Sequence, residues 1–127
     1  MAAGLTLDSG ALIAAEKGTR KIWAICKEAL ARDATVTVPA AVLAQAWRGD
    51  TPVQIVRLLQ GCDVEILDEP RARAVGRLLT RSRTPDVVDA AVVVGAVARG
   101  DAVVTSDPDD IGRLLSALGR SLPILIP

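Results

Sequence analysis

Residues 86 to 108 read D-V-V-D-A-A-V-V-V-G-A-V-A-R-G-D-A-V-V-T-S-D-P, and this stretch holds a helix, a strand and the start of another helix. From Asp86 to Ala98 apolar residues occupy almost every position, so the helix must be buried over most of its circumference. Gly100 is placed to close it, because glycine adopts the left-handed backbone common at helix ends. Ala102, Val103 and Val104 form a short apolar strand, and Pro108 brings the fixed φ of a first helical turn. The pattern predicts a strand at 102–104 and a helix over 108–118.

The same alternation runs to both ends of the chain. Residues 5–7 predict a strand and 9–17 a helix closed by Gly18, followed by helical spacing over 19–32. The β-branched run at 35–38 predicts a strand, and Pro39 opens a helix to about Trp47. Helices are expected at 52–59 and 69–81, with a strand at 64–67 between them and a final edge strand at 123–126. Short strands separated by helices of ten or more residues indicate an α/β domain, its mostly parallel sheet of four to five strands flanked by helices. At 127 residues, one domain spanning 1–127 is expected.

Composition narrows the chemistry. Phe and Tyr are absent, so the core must be aliphatic apart from Trp23 and Trp47. Histidine is absent too, which removes histidine-based catalysis and the usual zinc sites. Lys+Arg and Asp+Glu both number 15, so no global positive field points to nucleic acid, although a local basic face remains open. Cys26 and Cys62 stand in unrelated contexts and suit reduced thiols. The N-terminus lacks the basic region of a secretory signal. The apolar run at 90–98 is about half the roughly 20 residues that span a membrane. A soluble, cytoplasmic protein is expected.

The carboxylates carry the functional signal. Asp8 directly follows the first strand and could cap the helix at Ser9; Asp107 precedes Pro108 and could cap the last helix. Asp86 and Asp89 have the spacing of a capping box with Asp in place of Glu. Caps do not explain the set as a whole. Asp89 lies in a helix that is buried nearly all round, where an ionised carboxylate must be paired or bound to metal. Asp8 and Asp107 lie at the same end of two strands that can be neighbours, and ligands bind beyond the carboxyl ends of such strands. Converging carboxylates repel, and a hard divalent cation relieves that repulsion. With oxygen ligands only, Mg²⁺ or Mn²⁺ suits the site better than Zn²⁺.

Four blocks, L-D-S-G-A-L (7–12), V-P-A-A-V-L-A-Q (38–45), D-V-V-D-A-A (86–91) and V-V-T-S-D-P (103–108), resemble those of PIN domains. The nearest likeness is to the toxin nucleases of bacterial VapBC toxin–antitoxin pairs, and it spans residues 5 to about 115. The resemblance implies metal-dependent RNA cleavage, with Asp8, Asp89 and Asp107 matching three family acids. Ser9, Thr105 and Ser106 match small polar residues that support them. It also implies a homodimer and a cognate VapB-like antitoxin whose tail covers the acidic pocket. The pattern breaks at Gln45, where the family usually has Glu. An amide keeps a carbonyl oxygen but supplies neither negative charge nor a general base. Asp86, one turn before Asp89, could restore the charge. Alternatively, Gln45 marks a degenerate module that binds RNA or antitoxin without cutting.

RNA needs local positive charge, and Lys17, Arg20 and Arg48 are the expected RNA or antitoxin contacts. Arg73, Arg77 and Arg81 form a helical stripe that reads equally as a solvated face. Two other acidic-pocket α/β proteins fit less well. A phosphoacceptor signalling domain needs adjacent acids after its first strand, where Ser9 follows Asp8, and a late lysine, whereas no Lys lies beyond residue 27. An aspartate-nucleophile phosphatase needs an acid at position 10, which is Gly.

Overall fold

The computed structural model describes residues 3–127. Five parallel strands form one sheet: β1 (Leu5–Leu7), β2 (Val36–Pro39), β3 (Asp63–Glu65), β4 (Ala102–Val104) and β5 (Ile124–Leu125), in the order β3-β2-β1-β4-β5. Among the described residues seven helices lie between them: α1 (Ser9–Glu16), α2 (Arg20–Ala31), α3 (Ala40–Ala46), α4 (Val53–Leu59), α5 (Glu69–Ser82), α6 (Val87–Arg99) and α7 (Pro108–Ala117).

Strand order and handedness place the helices. The chain steps outward from β1 to β2 to β3, then returns past β1 to β4 and β5. Right-handed crossovers therefore put α1, α2 and α4 over one face of the sheet and α5, α6 and α7 over the other. The contacts agree, since α1 packs on α2 and α4 while α5, α6 and α7 pack on one another. Helix α3 touches both α1 and α6 and so bridges the two layers at the strand ends. Between β1 and β4 the winding changes direction, the switch point beside which open α/β sheets have their binding crevice, beyond the carboxyl ends of the strands.

Aliphatic residues fill the core, as the composition requires. Leu5, Leu7, Leu12, Ile22, Val36, Val38, Val92, Val93 and Ile111 are almost fully buried. Trp23 packs at the margin and donates its indole N–H to the Ala15 carbonyl at 3.2 Å. Among the described residues no helix is long and apolar enough to cross a membrane.

Three expectations shift. The third strand begins one residue earlier than its apolar run and ends at Glu65, which pairs with Pro39. Beyond Pro39 the partner strand turns into α3, so Ile66 has no ladder to join and is 71% exposed. Pro39 ends β2 and occupies the N-cap of α3 instead of its first turn. The helix expected over 86–98 runs one residue later, Val87–Arg99, with Asp86 as its N-cap in keeping with the spacing to Asp89.

A polar network that the sequence patterns do not suggest fastens the far end of α6 to the sheet. Arg99 pairs with Glu65 and, at 2.8 Å, with Asp101, and it donates to the Thr6 hydroxyl at 2.9 Å. Thr6 donates in turn to Asp101 at 2.8 Å, and Arg71 pairs with Glu65 at 2.8 Å. Gly95 leaves room for this cluster, since a Cβ there would lie 2.6 Å from Glu65 Oε1.

Candidate acidic site at the strand ends

Asp8 is the residue at which β1 stops. Its N–H donates to the Val104 carbonyl at 2.9 Å, which continues the β1–β4 ladder and fixes the backbone in the crevice. Its side chain is 3% exposed, and both oxygens are engaged. Oδ1 accepts from the Ser9 N–H at 2.7 Å, and Oδ2 accepts from the Thr105 hydroxyl at 2.7 Å. Burial raises the Asp8 pKa, opposed by these two hydrogen bonds and reinforced by Asp107 and Asp86 nearby.

Thr105, fully buried just beyond β4, links two of the acids. It donates to Asp8, and its oxygen accepts from the Asp107 N–H at 3.0 Å. Asp107 holds the N-cap position of α7, yet its side chain makes no capping bond. Capping therefore does not account for this carboxylate. Its neighbour Ser106 packs on Gly10 so closely that a Cβ at Gly10 would lie 2.0 Å from the Ser106 hydroxyl oxygen. This contact seats the first turn of α1 on the loop that carries Asp107.

Asp89 enters from the opposite layer, in the first turn of α6, and is 9% exposed. Burial first, then the charges of Asp8, Asp86, Asp110 and Asp107, raise its pKa to about 7. Asp8, Asp86, Asp107 and Asp110 thus lie within electrostatic reach of Asp89, and Asp86 and Asp107 within reach of Asp8. Asp86 does cap α6, its Oδ1 accepting the Asp89 N–H at 2.9 Å. Gln45 reaches the site through the bridging helix α3, and the Ser9 hydroxyl donates to its Oε1.

Asp110 was not among the expected acids. It lies on α7 one turn after Asp107, and the spacing in D-P-D-D was its available signal. Asp86, Asp89 and Asp110 line a cavity of about 270 Å³ with Thr84, Pro85, Arg113 and Leu114. The basic contacts fare differently. Arg48 follows α3 three residues after Gln45, exposed, with its guanidinium on the Trp47 carbonyl. Lys17 and Arg20 follow the far end of α1, whose eight residues carry the chain about 12 Å from Ser9. The fold does not bring these two to the acids.

Hard oxygen ligands whose mutual repulsion raises their pKa match a small divalent cation in chemistry. Among the described residues no three acid or thiol side chains already surround a single point at ligating distance. A cation held here would draw the carboxylates together or engage some of them through water. A larger cavity of about 600 Å³ opens at the other end of the strands, beside Gly4, Thr35, Asp63 and Asp101. Arg99 already neutralises Glu65 and Asp101, whereas no basic group is among those that shift Asp8 or Asp89.

No family model and no curated protein matches the chain. Solved structures do share its fold. A chain of VapBC2 from Rickettsia felis, bound to a DNA fragment from its promoter, superposes with a TM-score of 0.70 at 16% identity, covering 97% of this chain and 98% of that one. FitAB bound to the IR36 DNA fragment gives 0.65 at 15% identity, with 97% and 94% covered. DNA-bound VapBC from Salmonella typhimurium gives 0.61 at 19% identity, with 99% and 98% covered. The chain therefore has the PIN-like fold that its four motif blocks imply.

Proposed function

We propose that this chain is a metal-dependent endoribonuclease, the toxin of a toxin–antitoxin pair. The observation that carries the reading is the group of aspartates at the β1–β4 crevice, gathered from β1, α6 and α7 without a basic partner among the groups that shift Asp89. Such an arrangement is unfavourable unless a cation joins it. Asp8, Asp89 and Asp107 would hold Mg²⁺ or Mn²⁺, with Asp86 at the margin. When bound, that ion supplies Lewis-acid activation of a water and of the scissile phosphodiester. Ser9 and Thr105 orient Asp8, and Thr105 also positions the loop of Asp107. Gln45 orders the Ser9 hydroxyl and supplies no charge.

The partners follow from the same reading. The similar structures are VapBC and FitAB assemblies, and we assign to this chain an antitoxin of the VapB kind and a homodimeric state. The test is cleavage of single-stranded RNA by purified protein in Mg²⁺ or Mn²⁺, with EDTA and Asp8→Asn as controls. Metal-dependent cutting lost in Asp8→Asn is expected; cutting that persists undiminished in Asp8→Asn would refute the assignment. Gln45 favours a second reading, a module that binds RNA or antitoxin without cutting. It predicts RNA binding with no cleavage in either metal.

A further inference from the structure

The cavity between α6 and α7 contains one group that the acid site does not explain. Arg113, on the second turn of α7, lines it together with Asp86, Asp89 and Asp110 and, among the described residues, is the only cationic side chain that does so. Its nearest carboxylate contact is Asp110, with Nη1 3.9 Å from Oδ1 and both side chains more than half exposed. At that distance no hydrogen bond forms, and an exposed pair of this kind contributes little to stability. The guanidinium is therefore free to turn to another partner.

An acidic site that acts on RNA faces an electrostatic difficulty. A polyanion must approach Asp8, Asp86, Asp89, Asp107 and Asp110, and one divalent ion leaves this group net negative. A fixed cation beside the acids is needed to hold the backbone. Lys17 and Arg20 are at the wrong end of α1, and Arg48 lies on the α3 side with its guanidinium on the Trp47 carbonyl. We infer that Arg113 binds a phosphate of the RNA next to the scissile linkage, so that the strand enters along the α6–α7 cavity. A planar guanidinium suits this role, since it can donate two parallel hydrogen bonds to one phosphate. The inference rests on the nuclease reading and adds a substrate-binding residue and a direction of entry.

The experiment measures cleavage of a defined single-stranded RNA in Mg²⁺ as NaCl is varied, for wild type, Arg113→Ala, Arg113→Lys and Arg120→Ala. Arg120, exposed beyond the far end of α7, is the control for loss of one charge. Arg113→Ala should lower kcat/KM about tenfold, mainly through KM, and reduce the log–log salt slope by about 0.7, the value for one phosphate contact on a single strand. Arg113→Lys should restore the slope but only part of kcat/KM, because it keeps the charge and loses the fork. Arg120→Ala should match wild type. An Arg113→Ala enzyme with the wild-type KM and slope would overturn the inference and leave the nuclease reading standing. Wild-type protein that cuts no RNA in either metal would overturn both.

Discussion

Replacing Asp89 with Asn should make the metal-free protein more stable while destroying its proposed activity. The ionised form of Asp89 is disfavoured in the fold by burial and by Asp8, Asp86, Asp110 and Asp107, which raise its pKa from 3.8 to about 7. Well below pH 3.8 both folded and unfolded chains carry the proton, and this group exerts no penalty. Between pH 4 and pH 7 the unfolded chain releases its proton first, so folding stability falls with rising pH and then levels off. A displacement from 3.8 to about 7 corresponds to at most about 4 kcal/mol at neutral pH. Part of it is shared with the coupled acids, and water at the crevice screens some of the rest, so we expect about 1–2 kcal/mol at pH 8. The assay is urea unfolding of both proteins in EDTA from pH 4 to pH 8. Asp89→Asn should match wild type near pH 4 and gain progressively above it, and millimolar Mg²⁺ at pH 8 should stabilise wild type alone. Equal stabilities at pH 8, or a difference that does not change with pH, would mean that Asp89 is not held at an electrostatic cost.

Three further outcomes follow from the same contacts. Gly10→Ala should destabilise by about 1–3 kcal/mol, because its Cβ would meet the Ser106 hydroxyl at 2.0 Å, and Ser106→Gly should recover much of the loss in a double-mutant cycle followed by urea unfolding. Thr105→Val removes the donor to Asp8 and the acceptor for the Asp107 N–H; a loss of about 1–3 kcal/mol in thermal or chemical unfolding is expected, with weaker Mn²⁺ binding by calorimetry. Gln45→Glu adds a carboxylate beside Ser9 and should tighten Mn²⁺ binding several-fold, each tenfold step being about 1.4 kcal/mol; unchanged affinity would place residue 45 outside the ion's reach.

Much of the fold was legible because its signals are local. The helix at 86–98, Gly100 and the β-branched strands each declare themselves within a few residues, and the alternation of elements gives the parallel sheet. The third strand shifted because its end is set by Pro39 on a different strand, which no reading of residues 64–67 alone contains. At the site, the shared location of Asp8 and Asp107 could be anticipated from the strand ends, whereas the failure of Asp107 as a cap depends on backbone angles at one residue. Asp86, by contrast, caps α6 as its spacing suggests. Lys17 and Arg20 lie near Asp8 in sequence, but the intervening helix carries them away from it. The network of Thr6, Glu65, Arg71, Arg99 and Asp101 joins residues up to 95 positions apart, so no spacing rule exposes it.

Whether Asp8, Asp89 and Asp107 form one cation site is decided by calorimetric titration of Mn²⁺ into the metal-free protein at pH 7.5. Wild type should bind the ion, Asp8→Asn and Asp89→Asn should abolish binding, and Asp107→Asn should weaken it strongly. Wild type that binds no Mn²⁺, or variants that bind as tightly as wild type, would contradict the single site.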